Sequence, residues 1–209
     1  MRKITVEFFH DVICSFCFPM SYRMRELVKV MPEVEVIHRS FALVREGGEF
    51  DKMFGSREAA KEEVLGHWAQ ANENDDLHRF NIQGMREADF PFPTSMKRLL
   101  ACKAAFFTGG EGAYWDIFDA LQTAFFVHSR NIGDQAVIGE IIRETGLDFE
   151  NWQSHYQDPK TMEAVGSDFL LVKQYGITVV PTLIINGKHR VVGTLPLARV
   201  ISSIEKAME

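Results

Sequence analysis

Hydrophobic positions recur every second residue near both ends of this chain and every third or fourth residue through its middle. The first part predicts a strand at about residues 3–9 and a second strand at about residues 34–41. In the first strand the apolar side chains alternate but fall on both faces, which is typical of a central strand in a covered sheet. The stripe between the strands predicts an amphipathic helix, and its members are Met20, Met24, Leu27 and Met31. A strand, a helix and a strand in this order predict a right-handed parallel unit.

The middle of the chain, from about residue 56 to residue 174, shows helical periods and no convincing strand. Ser56 is a candidate N-cap for the first of these helices. Glycine and proline in residues 81–93 predict a connector. A later helix is predicted to end at Gly109-Gly110, and a further helix follows it and ends near residues 131–133. The apolar faces are wide and aromatic, so these helices are expected to pack on one another as a helical subdomain.

The last part returns to strands. Asp158-Pro159 is an N-cap followed by proline at the first helical position, and it predicts a helix that ends near residue 175. An apolar run at residues 177–185 predicts a strand, and Asn186-Gly187 predicts a two-residue hairpin turn into a partner strand at Val191-Val192. A final amphipathic helix begins at Pro196.

These elements predict an α/β fold in which two mixed segments flank a helical block. Residues 1–50 are predicted to form a β-α-β segment, residues 51–157 a helical insertion, and residues 158–209 an α-β-β-α segment. A chain of 209 residues is long enough to bury a real core in this arrangement.

Charge and composition narrow the functional classes. The net charge of −6 argues against a general nucleic-acid binder, which usually presents a basic face. No apolar run is long enough to cross a bilayer, and the first residues lack the apolar core of a signal peptide, so we expect no membrane association and a cytoplasmic location. Three cysteines are too few for a disulfide scaffold, and in the cytoplasm a disulfide is more often catalytic than structural.

The candidate chemistry lies in Cys14-Ser15-Phe16-Cys17, directly between the first strand and the first helix. Cysteines three residues apart at a helix start are close enough to close a small ring. The first of them also faces the unpaired N–H groups and the positive dipole end of the helix. This environment favours the thiolate, which is the form that attacks a disulfide. The pair therefore predicts a dithiol–disulfide redox site.

A metal site and inert packing are the two alternatives to a redox role for this pair. A zinc site needs two further ligands at comparable spacing, but the third cysteine, Cys102, is distant and the seven histidines are scattered, so no metal site is expected. Inert packing of two core thiols stays open. Cys102 itself lies in an apolar helix, which favours a buried, unreactive thiol over a resolving or sensing one.

Three polar residues next to the thiols are secondary site candidates. Glu7 interrupts the first strand and is expected to carry a solvated or paired carboxylate, with a proton acceptor near the thiols as the alternative. His10 and Asp11 are predicted to lie in the loop before the thiols, where their effects on a thiol pKa would have opposite signs.

The order of elements, the Cys-x-x-Cys pair and a Val180-Pro181-Thr182 step entering the third strand resemble a thioredoxin-like fold. The helical block between the halves resembles the DsbA-like branch, within it the FrnE-like dithiol–disulfide isomerases, related to 2-hydroxychromene-2-carboxylate isomerases and kappa-class glutathione transferases. The similar segments are residues 10–17, 39–43, 121–126, 145–148 and 176–187.

The resemblance implies roles for a few positions. Cys14 would be the attacking thiol and Cys17 the resolving one, with Ser15, Phe16, Val180 and Pro181 binding the substrate. The Val180–Pro181 bond would be cis and its loop would face the thiols, whereas an ordinary trans proline at a strand start is the alternative.

The expected function is therefore that of a thiol–disulfide oxidoreductase or isomerase acting on protein or small-molecule disulfides. It needs no bound cofactor, although glutathione can serve as a co-substrate. Two alternatives are a glutathione-dependent isomerase or transferase on the same fold, and a partner-binding module with redox-sensing thiols. The chain has Ser15-Phe16 where relatives often have Pro-Trp, and Val179 where they commonly have glycine. The sequence leaves the direction of electron flow and the oligomeric state open.

Overall fold

The computed structural model describes residues 3–208, apart from the side chains of residues 51, 57 and 58, so the outermost residues of both predicted flanking segments (1, 2 and 209) lie outside the described part. Within it the strands are β1 (Ile4–His10), β2 (Val34–Ser40), β3 (Thr182–Ile185) and β4 (His189–Val192). The helices are α1 (Cys17–Val30), α2 (Gly48–Phe54), α3 (Arg57–Asn74), α4 (Ile82–Glu87), α5 (Met96–Phe126), α6 (Gln135–Glu144), α7 (Phe149–Gln157), α8 (Pro159–Tyr175) and α9 (Leu197–Lys206).

The four strands form one mixed sheet in the order β2-β1-β3-β4. Strand β1 is parallel to β2, with Ile4 opposite Val34, which confirms the predicted β-α-β unit. Strand β3 is antiparallel to both β1 and β4. The β3–β4 hairpin forms as predicted, but its loop has three residues, 186–188, because Ile185 pairs with His189.

Both faces of β1 are buried, as its sequence pattern predicts. Val6 and Phe8 belong to the main core, which also contains the α1 stripe of Met20, Met24 and Leu27, each fully buried. Phe9 points to the opposite face, where it packs with Ile177 and Ile184 beneath α8. The sheet is therefore covered on both sides, and its central strand ends directly beside the candidate thiols.

One boundary in the helical block differs from the prediction. The segment predicted as a connector contains α4, because the Asn81 side chain accepts a hydrogen bond from Gly84 N–H and starts a short helix. The predicted break at Gly109-Gly110 is confirmed, since both glycines have non-helical backbone angles, and α5 consists of two helices joined at this kink, the second of which runs to Phe126. Gly110 has a φ of 76°, a conformation in which other residues are strained. Ser56 caps α3 as predicted, accepting a hydrogen bond from Ala59 N–H.

Helix α2 has no counterpart among the predicted elements. Its Phe50 is buried against Val44 and Ala60, so this short helix is fixed by tertiary packing. The boundaries of the three predicted segments stay a prediction. Of the helices within residues 3–208, none has both the length and the apolar character that crossing a membrane requires.

Candidate active site

The two cysteines lie one turn apart at the start of α1, where the spacing predicts them, with Cys14 in the loop just before the helix. Cys17 is the first residue of the helix, and its N–H donates to the Cys14 carbonyl at 3.1 Å. No acidic residue occupies the first turn of α1, and no side chain caps its first N–H groups. The positive end of the helix dipole therefore acts on the thiol pair without a competing carboxylate in that turn.

The two thiols have different environments. Both are free in the structure, but Cys14 keeps 5% of its surface exposed whereas Cys17 has none. Burial, a hydrogen bond with Cys14 and the proximity of the Cys14 charge raise the pKa of Cys17 well above its usual value. Cys17 thus stays protonated next to Cys14, and Cys14 is the thiol that an incoming molecule can reach.

A loop from the other end of the chain faces Cys14. The Val180–Pro181 peptide bond is cis, and the Val180 carbonyl oxygen lies 3.7 Å from Cys14 Sγ. Thr182 Oγ1 donates to the Val179 carbonyl at 2.8 Å, which holds this loop at the start of β3. The structure therefore brings together residues that are 166 positions apart in the sequence.

An apolar cleft of about 270 Å³ opens beside Cys14. Its walls are formed by the loop between β1 and α1, here called the redox loop, together with the β2–α2 connection, α2 and α3. Its lining residues are Ile13, Cys14, Ser15, Phe16, Leu43, Val44, Phe50, Met53, Phe54, Val64, His67, Trp68 and Val180. Of the four positions expected to bind substrate, Ser15, Phe16 and Val180 line this cleft, whereas Pro181 is buried and does not.

Asp11 lies beneath the cleft and links three segments. Its fully buried carboxylate accepts hydrogen bonds from the Ile13 N–H, the Leu43 N–H and the Ser95 hydroxyl at 3.3, 2.7 and 2.5 Å. Burial raises the pKa of Asp11 to about 6, although these hydrogen bonds and Arg98 oppose the shift. Asp11 was a secondary candidate in the sequence, and the structure shows that it joins the redox loop to the cleft wall.

Two side chains that the sequence analysis did not single out hold the redox loop from outside. Gln122 of α5 donates from Nε2 to the carbonyls of Val12 and Cys14 at 3.2 and 3.4 Å. Thr194 Oγ1 donates to the Phe16 carbonyl at 2.6 Å. Gln122 lies in one of the segments that carry the family resemblance, and it is a polar residue on an apolar helix, but neither signal indicates a contact with this loop.

His10 is the last residue of β1 and not a loop residue, so its predicted position was wrong. The strand extends to it because β2 pairs with it through Ser40. Its ring is fully buried, and its Nε2 lies 3.0 Å from Nδ1 of the equally buried His38. Burial, followed by the charges nearby, lowers the pKa of each ring well below 6.5. The two imidazoles are therefore neutral in the fold.

We expect acid to destabilise the protein through this histidine pair. In the unfolded chain each histidine is protonated near pH 6.5, whereas in the fold both rings stay neutral at lower pH. The pair therefore makes its full contribution to the free energy of unfolding above about pH 6.5, and this contribution is lost as the pH falls. The slope is up to about 1.4 kcal/mol per pH unit for each histidine. Urea unfolding between pH 7 and pH 5 measures it, with His38→Asn as the comparison.

The comparison isolates the histidines from other groups that titrate in the same range. Asp11 changes the free energy of unfolding with the opposite sign, because its raised pKa means that the folded protein binds the proton more readily than the unfolded chain. It is present in both proteins, so its effect cancels in the difference. The His38→Asn protein should have a shallower loss of stability with acid. Identical slopes in the two proteins would contradict the assignment.

The remaining candidates lie away from the exchange chemistry. Glu7 is paired, as expected, since its carboxylate accepts from Arg39 Nε at 2.8 Å and from the Tyr175 hydroxyl at 3.0 Å. Cys102 is fully buried, and burial raises the pKa of its thiol. Among the side chains that the structure describes, no three histidine, cysteine, aspartate or glutamate residues gather in a way that could hold a metal ion.

Comparison with known proteins agrees with this architecture. Residues 5–205 match the family described as DSBA-like thioredoxin domain. A crystal structure of a Nitrosomonas europaea protein has a TM-score of 0.80 at 15% identity and covers 99% of this chain and 98% of its own. The cytosolic disulfide reductase DsbM of Pseudomonas aeruginosa has a TM-score of 0.71 at 18% identity, with coverage of 97% and 94%, and DsbM has also been solved with GSH. These likenesses confirm the predicted thioredoxin-like fold of the DsbA-like type.

A sequence relative matches a shorter part of the chain. The ClpXP adapter protein SpxH of Bacillus subtilis (strain 168) is 30% identical over 97 residues. The match spans 46% of this chain and 32% of SpxH, about a third of the length of that relative.

Proposed function

The chain belongs to the DSBA-like thioredoxin domain family, and from this premise we propose that it is a thiol–disulfide oxidoreductase or isomerase using the pair Cys14 and Cys17. One observation carries the proposal: Cys14 Sγ lies 3.7 Å from the Val180 carbonyl at an apolar cleft, with Cys17 enclosed behind it. A reachable thiol backed by a protected second thiol is the arrangement that two-step disulfide exchange requires.

The exchange proceeds in two balanced steps. The Cys14 thiolate attacks one sulfur of a substrate disulfide, so that a Cys14–substrate disulfide forms and the other substrate sulfur leaves as a thiolate. Cys17 then loses its proton and attacks Cys14 Sγ, which releases the second substrate thiolate and leaves a Cys14–Cys17 disulfide. Two electrons pass from the protein to the substrate. In the opposite direction the same steps oxidise a substrate dithiol, and isomerisation combines the two.

The cleft favours a polypeptide substrate over a small charged thiol. Its lining combines aromatic and aliphatic side chains with Ser15 and His67, and no lysine, arginine, aspartate or glutamate is among the described residues that form it. Of these described lining residues, only His67 could pair with a charged group of glutathione, which carries carboxylate and ammonium groups. We therefore propose that an apolar side chain next to the substrate cysteine occupies the cleft while the disulfide contacts Cys14. We also propose that the reaction takes place in the cytoplasm.

The Cys17→Ser variant tests the proposal directly. Without the resolving thiol the first step still occurs, but the mixed disulfide on Cys14 persists, and we expect nearly stoichiometric trapping of a peptide that contains a disulfide next to leucine or phenylalanine. Mass spectrometry of the intact protein under non-reducing conditions measures the adduct. A Cys14→Ser/Cys17→Ser protein is the control and should trap none. A Cys17→Ser protein that traps nothing would overturn the proposal.

The same preparation separates the alternative function. A glutathione-dependent isomerase or transferase on this fold would need no resolving thiol, so conjugation of glutathione to an electrophile would be fully retained in Cys17→Ser. We expect disulfide exchange in the wild-type protein and no such conjugation. The reduction potential of the Cys14–Cys17 pair then gives the direction of electron flow relative to the glutathione pool.

A further inference from the structure

Gln122 is a fully buried amide on α5 that meets the redox loop from below. Its Nε2 donates one hydrogen bond to the Val12 carbonyl and one to the Cys14 carbonyl, at 3.2 and 3.4 Å. Because both neighbours are acceptors, only the NH₂ group can occupy this place, which settles the orientation of the amide. The two hydrogens of one side chain therefore both hold the short loop that carries Cys14.

The other end of the same amide has no partner. Gln122 Oε1 is buried and makes no hydrogen bond with the residues that the structure describes. Its helical neighbours on the buried face, Phe118, Leu121 and Phe125, are all apolar. An unpaired buried carbonyl costs stability, and an apolar side chain of similar size would avoid that cost but would leave the Val12 carbonyl without the donor that Gln122 supplies. The value of the amide must then lie in its two donated bonds.

The position of Gln122 depends on the kink in α5. The helix breaks at Gly109 and Gly110 and resumes with the segment that carries Asp119 and Gln122. Asp119 accepts a hydrogen bond from Ser21 and pairs with Arg25, both on α1, so this segment is fixed against the helix that begins at Cys17. Helix α5, which belongs neither to the sheet nor to the β-α-β unit, therefore holds one side of the redox loop.

We propose that Gln122 is a positioning residue that tunes the Cys14–Cys17 pair through the Cys14 carbonyl, an inference that rests on the proposed exchange function. Its two hydrogen bonds fix the position of Cys14 relative to the Val180 carbonyl. They also turn the positive end of the amide dipole towards the loop that carries Cys14, whose sulfur is negatively charged when it attacks as the thiolate. The disulfide state carries no such charge, so the donors stabilise the dithiol form more than the disulfide form.

The test compares Gln122→Met with the wild-type protein. Methionine keeps the length and apolar volume but removes both donors, so the dithiol form should lose its extra stabilisation. We expect the equilibrium constant with glutathione to change about tenfold in favour of the disulfide, equivalent to about 30 mV towards a more negative potential. Equilibration in glutathione buffers at several ratios, read by trapping the free thiols with a maleimide, gives the potential.

Ser21→Ala is the matched control. Ser21 is buried and links α1 to α5 through Asp119 and the Trp115 indole N–H, but it does not touch the redox loop. Its removal should lower stability but change the equilibrium constant with glutathione by less than about twofold. Gln122→Leu also removes both donors and replaces Gln122→Met if the methionine variant does not fold.

The outcomes distinguish this inference from the proposed function. A wild-type protein that exchanges disulfides together with a Gln122→Met protein of unchanged potential overturns the positioning role alone. A wild-type protein that fails to equilibrate with glutathione or with a peptide disulfide overturns the proposed function. A changed melting temperature with an unchanged potential shows a structural role only and also overturns the inference.

Discussion

Replacing Cys14 with serine should abolish disulfide exchange, lowering the rate by at least about a thousandfold. A serine hydroxyl does not ionise at neutral pH and cannot form a disulfide. Cys17 cannot take its place, because it has no exposed surface and burial raises the pKa of its thiol well above the usual value. Single-turnover reduction of a fluorescent peptide disulfide by the pre-reduced protein measures the effect.

The matched control for this experiment is Cys102→Ser. Cys102 is fully buried in α5, and burial raises the pKa of its thiol, so it should take no part in exchange. We expect its variant to keep the wild-type rate if it folds, which a circular dichroism melt establishes. Substantial exchange by a folded Cys14→Ser protein would mean that another thiol carries the reaction.

Replacing Asp168 with alanine should cost about 3–5 kcal/mol of unfolding free energy. Asp168 is 2% exposed, and its Oδ2 accepts from Lys103 Nζ at 2.6 Å and from the Ser40 N–H at 2.9 Å. Lys103 is itself buried, so the variant leaves an ammonium group and a backbone donor without their partner. This contact also joins α8 to α5 and to the end of β2, so its loss weakens three elements together.

Urea unfolding with a fluorescence readout measures this loss, and Glu144→Ala provides the comparison. Glu144 pairs with Arg130 at 2.7 Å, but its carboxylate is largely exposed, so solvent screens the pair and its removal should change stability far less than the removal of Asp168. The two variants remove the same kind of charge from opposite environments. Equal losses in the two proteins would show that burial does not set the strength of the Asp168 contacts.

Much of the fold could be predicted because its signals act between near neighbours in the chain. Apolar alternation in β1 and the four-residue stripe of α1 identify the elements and the faces that they bury. The cap at Asp158-Pro159 marks the start of α8 correctly. The break at Gly109-Gly110 was also predicted correctly, because both glycines have non-helical backbone angles. The errors arose where tertiary contacts decide the structure: pairing with β2 extends β1 to His10, and the packing of Phe50 fixes α2.

The candidate site, too, could be predicted only in part from the sequence. The spacing of Cys14 and Cys17 and their place between a strand and a helix were enough to predict a dithiol site, because a turn at a helix start brings such residues together locally. Val180 entered only through a family resemblance, since nothing in its own surroundings in the sequence points to a thiol 166 residues away. The contacts of Gln122 with the redox loop could not be predicted, because neither its place in a segment of family resemblance nor its polarity on an apolar helix indicates what it contacts.

By itself, the sequence determined the α/β order of elements, the thiol pair at the start of α1 and the burial of both faces of β1, because periodicity and turn geometry depend on residues a few positions apart. Only the tertiary structure decided which thiol is reachable, which carbonyl faces it and which side chains hold its loop. Those properties depend on burial and on hydrogen bonds between distant segments, as the contacts of Cys14 with Val180 and Gln122 show.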